Sequence, residues 1–173
     1  MRAQIRAFFF FVTWTMSYVV YDEQGGFCAI IDPVLDYDPL SSQTSTKSAD
    51  DVVDFVKKNN LNLKWVLETH AHADHLSASQ YLKNNLGAKI AIGERIKEVQ
   101  GVFKNVFDLP ATFRADGSQF DELLKDGQSL EAGSLHVGVI STPGHTPACV
   151  TFKVDDAVFT GDALFMEDYG TGR

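Results

Sequence analysis

Residues 68–79 read ETHAHADHLSAS, and within six positions this stretch carries His70, His72, Asp74 and His75. It follows directly on LKWVLET (63–69), a near-continuous apolar run of the kind expected for a strand covered on both faces. Residues two apart in an extended loop point the same way, so His70 and His72 can face one cavity, with Asp74 and His75 at the mouth of a following helix. Imidazole nitrogen and carboxylate oxygen suit borderline divalent metals, and ligand sites of open α/β sheets gather where strands deliver their carboxyl ends. Core packing gives no reason to concentrate so many desolvation costs in one loop.

Outward from this stretch the chain alternates strands and helices. TWTMSYVVY (13–21) and GGFCAIID (25–32) read as a hairpin of two strands, with Asp32 and Pro33 closing it. The polar stretch from Asp36 to Lys47 reads as a surface loop, and Ser48 as the N-cap of a helix through ADDVVDFVKKN, whose inner stripe is Val52, Val53 and Val56. Ser77 to Leu86 fits a helix closed by Gly87, AKIAIG a strand, and Ile96, Val99, Val102, Phe103 and Val106 recur at helical spacing. The signal is mixed from Asp108 to Gln128. SLHVGVIST, ACVTFKV and AVFTGD then read as three strands, the last two joined by a turn at Asp155 and Asp156.

Composition narrows the classes. The 173 residues are 45% hydrophobic and 12% aromatic, enough for one folded domain spanning residues 1–173, and their net charge of −8 argues against a nucleic-acid or anionic-membrane partner. Arg2 and Arg6 ahead of FFFFVTW imitate a signal peptide, but no small-residue cleavage site follows and the apolar run is too short for a bilayer. Cys28 and Cys149 each lie in an apolar stretch, as expected of two buried free thiols in a reducing cytoplasm. His136, inside SLHVGV, reads as a hydrogen-bonded core histidine.

Two further strand ends offer ligands. His145 stands in TPGHT, where Pro143 and Gly144 bend the chain, and Asp162 follows Gly161 at the end of AVFTGD. HAHADH, TPGHT and GDALF occur in the order and approximate spacing of the metallo-β-lactamase fold, which the chain resembles from about Thr13 onward. The fold implied is α/β, a four-layer αββα sandwich with the motifs at one edge. AIIDPVLDYDP, LETHAHADHLSAS, STPGHTPACVTF and GDALFMEDYGTGR are most similar to the persulfide dioxygenase branch, relatives of glyoxalase II. Similar proteins continue beyond GTGR, so the second half of the sandwich is expected to be incomplete, with an unpaired edge that favours association into homo-oligomers. FFFF (8–11) departs from the polar turn such proteins tend to carry.

What the resemblance implies for the site is one Fe(2+) per chain, held by His70, His145 and Asp162, with His72, Asp74 and His75 as supporting groups around it. Two histidines and one carboxylate make the facial triad suited to ferrous iron and dioxygen. The expected partners are a low-molecular-weight thiol persulfide, such as glutathione persulfide, and O2, with sulfite formed after hydrolysis. Arg173 falls where similar enzymes bind the carboxylate of the thiol substrate. The alternative is a hydrolase of glyoxalase II, thioesterase or lactonase type holding one or two Zn(2+), in which Asp74, His75 and Asp162 serve a second metal. That pattern needs a later histidine, which this chain lacks. A third reading is a non-catalytic fragment or interaction protein. Nothing points to periplasmic export, which weighs against a β-lactamase role.

Overall fold

The structure, a computed structural model, describes residues 2–165. It is mixed α/β, and the chain divides into two compact units. The first takes residues up to 68, 72–90 and 131–136, and the second takes 69–71, 91–130 and the described residues from 137.

In the first unit, β1 (Gln4–Phe10), β2 (Thr15–Tyr21) and β3 (Phe27–Ile31) are antiparallel neighbours, and β3 then pairs parallel with β6 (Asn62–Glu68). Helix α1 (Lys47–Lys58) buries the expected stripe, leaving Val52, Val53 and Val56 only 1%, 4% and 2% exposed. Burying side chains of this size contributes roughly 1.5–3 kcal/mol each. Helix α2 (Ser79–Leu86) ends at Gly87, whose φ of 75° and N–H bond to the Lys83 carbonyl form a left-handed cap.

Several local expectations give way. Thr13 and Trp14 lie in a turn, not a strand; the strand N-terminal to it is β1, which draws Phe8, Phe9 and Phe10 into pairing with β2. FFFF thus acquires a structural role: Phe10 is buried and Phe8 meets Phe55 of α1 edge-on at 5.7 Å. The polar stretch from Asp36 to Lys47 is no plain loop, because the end of β4 (Val34–Asp38) pairs there with β5 (Gln43–Ser45). Ser48 is not the N-cap. Thr46 precedes α1, while the Ser48 N–H and hydroxyl both donate to buried Asp36, at 2.9 Å and 2.5 Å. Residues 76–77 belong to a short strand β7 (Leu76–Ser77) paired with β4, so α2 begins two residues later than its pattern suggests. β6 is covered on both faces only in its last three residues, Val66 to Glu68; Asn62 and Lys64 are exposed.

In the second unit, the end of β8 (Lys89–Gly93) pairs parallel with β9 (Glu122–Leu124), and α3 (Ile96–Val106) packs Ile96 and Val99 against Ile92 and Ala148. Only Ile96 and Val99 of the apolar pattern of α3 are buried; Val102, Phe103 and Val106 are exposed, Val102 and Val106 at 58% and 67%. β10 (Ser129–Ala132), β11 (Leu135–Ser141), β12 (Val150–Val154) and β13 (Ala157–Phe159) stand in sheet order, residues 131–136 among them being counted with the first unit, and Asp155, at φ 52°, makes the expected turn between the last two. His136 overturns its expectation: β11 alternates strictly at this point, and the imidazole stands on the outward side with 72% of its side chain exposed. Among the described residues, no helix is long and apolar enough to cross a membrane.

Candidate metal centre

Three chain segments of the second unit converge on one point. Thr69 and His70 leave the end of β6, and the Val150 N–H, donating to the Thr69 carbonyl at 2.9 Å, fixes this exit against the start of β12. His70 is buried, and the Thr69 hydroxyl lies 2.9 Å from its Nδ1, which leaves Nε2 as the nitrogen turned to the cluster. His145 sits in the loop between β11 and β12, folded by the Gly144 N–H donating to the Thr146 carbonyl at 3.2 Å and by Cys149 Sγ accepting from the Thr146 N–H at 3.2 Å. Asp162 lies in a 3-10 turn, Gly161–Ala163, after β13.

Asp162 Oδ2 is 3.8 Å from His70 Nε2 and 3.5 Å from His145 Nε2, and the two rings meet nearly at right angles with centroids 5.0 Å apart. One ligand atom from each residue falls within 4.8 Å of the others. Ligands at about 2.0–2.1 Å from a common ion lie about 3–3.5 Å from one another, so the group can close on a metal with little movement. Gly161 makes this approach feasible: its φ is 49°, and a Cβ there would collide with the Thr69 side chain. His70 is fully covered while the His145 and Asp162 side chains are 33% and 26% exposed, so the cluster is anchored on one side and reachable on the other.

The other members of the histidine-rich loop lie in the first unit and make a different arrangement. His72 Nε2 lies 3.3 Å from Asp32 Oδ1 and 3.3 Å from Glu68 Oε2, with all three side chains less than 10% exposed. Burial alone drives an imidazole pKa down, but the hydrogen bond to Asp32 and the Glu68 carboxylate overcome it and lift His72 from 6.5 to about 11. His75 stacks on His72 at 4.2 Å, and its Nδ1 donates to the Leu76 carbonyl at 3.3 Å. With Asp74, these two histidines form a second group whose ligand atoms come within 4.8 Å of one another.

The structure thus brings together His70, His145 and Asp162, and separately His72, Asp74 and His75. Arg173 lies outside the described residues. Asp32 and Glu68 were not picked out from the sequence as site residues. Each is a carboxylate closing an apolar strand, after FCAII and WVL, and a charge in that position needs a buried partner.

Comparison with known proteins bears on this geometry. Residues 13–173 match the family model described as the metallo-beta-lactamase superfamily. The chain belongs to the metallo-β-lactamase superfamily. Its fold is the mixed α/β fold of that family. It is 49% identical over 179 residues, 98% of this chain, to a probable metallo-hydrolase of Burkholderia pseudomallei (strain 1710b), covering 61% of that protein. It is 31% identical over 172 residues, 98% of this chain, to persulfide dioxygenase ETHE1, mitochondrial, of Homo sapiens, covering 55% of it. Among solved structures, ETHE1 from Myxococcus xanthus superposes with a TM-score of 0.71 at 26% identity, over 98% of this chain and 64% of that one. The chain therefore spans between half and two thirds of the length of these curated relatives. Membership of the family implies metal binding, and the clustered histidines and aspartates are groups able to provide it.

Proposed function

We propose that this metallo-β-lactamase-family chain is a persulfide dioxygenase with one iron, held by His70, His145 and Asp162. The convergence of two imidazoles and one carboxylate carries the reading, since that donor set suits ferrous iron and leaves further coordination positions for substrate. Similarity to persulfide dioxygenase ETHE1 supports the same choice. Ferrous iron bound there would supply the redox chemistry by which dioxygen oxidises the terminal sulfur of a thiol persulfide. The protein's part is geometry. Thr69 holds the His70 ring, Gly161 lets Asp162 approach, and the exposed sides of His145 and Asp162 admit the substrate. His72, Asp74 and His75 form the supporting group beside the His70 ligand in sequence, and Arg173 is the candidate anchor for a substrate carboxylate. The single family model across residues 13–173 supports reading the chain as one domain of this kind, and the two buried free cysteines support a reducing, cytoplasmic setting.

A second reading has an observation of its own. His72, Asp74 and His75 are close enough to take a metal, which favours a zinc hydrolase: these residues would hold the ion, which would supply Lewis acidity for hydrolysis of a thioester or lactone. Purified chain is to be assayed for metal content and for oxygen uptake with glutathione persulfide. About one iron per chain with persulfide-dependent uptake is the expected outcome; two zincs with hydrolysis and no uptake would reverse the assignment.

A further inference from the structure

Strand β1 begins the strand order β1-β2-β3-β6, so among the described residues one of its hydrogen-bonding edges meets no strand. Such an edge is a template for another chain, and proteins ordinarily blunt it with proline, a bulge, lysine or an inward charge. β1, QIRAFFF, has none of these: its register with β2 is unbroken, and its single charge, Arg6, is exposed. Alternation turns Ile5, Ala7 and Phe9 to one face and Arg6, Phe8 and Phe10 to the other, where Phe8 meets Phe55 of α1. The first face is open. Ile5 and Phe9 are 45% and 40% exposed, and at the hairpin end the exposed Phe11 and Trp14 meet Phe9 edge-on at 4.9 Å and 6.0 Å.

What fits this edge is a copy of itself. Ala7 is the midpoint of Gln4–Phe10, so antiparallel pairing about Ala7 matches all seven residues. It sets Ile5 opposite Phe9 of the second copy, and Arg6 opposite Phe8 of the second copy: an aliphatic–aromatic pair and a cation–π pair, each made twice by symmetry. Arg6 already leans on the Phe8 ring of its own strand, 5.3 Å from the centroid. No like charges face each other in this register, whereas centring on Arg6 would oppose two guanidinium groups. Repulsion between chains of net charge −8 is weak at this contact, because residues 1–21 contain no Asp or Glu. We propose that β1 is a self-association edge, at which two copies of the chain pair their β1 strands antiparallel about a twofold axis at Ala7, continuing one sheet into the other and covering Ile5 and Phe9 of each. This gives the association expected from the sequence a surface, and it needs no metal.

Sedimentation velocity of the full chain over a micromolar concentration series is expected to show a monomer–dimer equilibrium. Ala7→Lys places two ammonium groups across the axis and Ala7→Asp two carboxylates. Each variant alone is expected to stay monomeric, because like charges directly opposite destabilise a strand pair, and an equimolar mixture of the two is expected to dimerise again. Ala7 is exposed, so circular dichroism and the thermal midpoint of both variants should match wild type. Should a charged variant fail to fold, Ala7→Cys supplies a second readout. Mild oxidation is expected to cross-link it into a dimer, since facing Cα atoms of an antiparallel pair lie about 4.5–5.5 Å apart, within disulfide reach. Val12→Cys, which faces residue 2 across the axis, stays uncross-linked, and the native Cys28 and Cys149 are buried. A wild-type chain monomeric throughout, a dimer unchanged by Ala7→Lys, or a mixture of the two charged variants that stays monomeric overturns the proposal. So does capture of monomeric wild type by phosphatidylserine vesicles, which would assign the aromatic hairpin end to a lipid surface.

Discussion

Single residues whose backbone or hydrogen bonding admits no substitute carry the sharpest expectations. Gly161 has φ 49° and no room for a Cβ beside Thr69. Gly161→Ala is expected to cost about 1–3 kcal/mol in strain and contact, and to displace Asp162. Thermal melts and the iron or cobalt retained after desalting check this together, with metal retention falling more than stability. Asp22 is a second such residue, 8% exposed, accepting from the N–H groups of Phe27, Glu23 and Ser134 at 2.7 Å, 2.8 Å and 3.2 Å. Burial opposes its charge, but these donors outweigh burial and hold its pKa below 3.8. With the folded value depressed, its stabilisation is present above the unfolded pKa and is lost as pH falls through the folded one. Asp22→Ala is expected to lose about 1–3 kcal/mol near pH 7, and the difference from wild type should shrink in urea unfolding below about pH 4.

At the scale of elements, periodicity located most helices and strands, and tertiary context decided which side of each was covered. Helix α3 shows the distinction. Its apolar residues have helical spacing, yet Ile96 is 2% exposed and Val106 is 67% exposed. Ile96→Ala is expected to cost about 2–5 kcal/mol through the cavity it leaves against Ile92 and Ala148. Val106→Lys should stay within about 0.5 kcal/mol, because no packed neighbour is lost; chemical denaturation of both variants makes the comparison. Ser48 and His136 went astray for related reasons. A serine near a helix start offers the same hydroxyl to a cap or to a buried carboxylate, and only the arrival of Asp36 from β4 shows which it serves. A histidine in an alternating strand faces one side or the other according to a register of one residue, and in β11 that register turns His136 outward.

Over the whole molecule, the cluster His70, His145 and Asp162 joins three segments of the second unit: residues 69–71, the β11–β12 loop and the turn after β13. A metal held there binds only the folded chain, so chelation of metal-loaded protein is expected to lower its thermal midpoint by about 5–10 °C, the equivalent of about 2–4 kcal/mol of linked binding. Calorimetry before and after chelation, with re-addition of metal restoring the midpoint, checks it. The amino-acid sequence by itself determined the strand and helix rhythm, the family and the identities of the clustered histidines and aspartates, because apolar period and motif spacing are local properties of the chain. Residue spacing alone did not separate the histidines; the family resemblance grouped His70 with His145 and Asp162, and the structure brings these three together. His70 and His72 are two residues apart and share a direction in an extended loop, yet one turns to His145 and Asp162 while the other is taken by Asp32 and Glu68. Those partners arrive from up to 92 residues away in the cluster of His70 and Asp162 and from 40 residues away for His72 and Asp32. Only the tertiary structure decides such pairings, because a buried imidazole takes its role from whichever carboxylate the fold places against it.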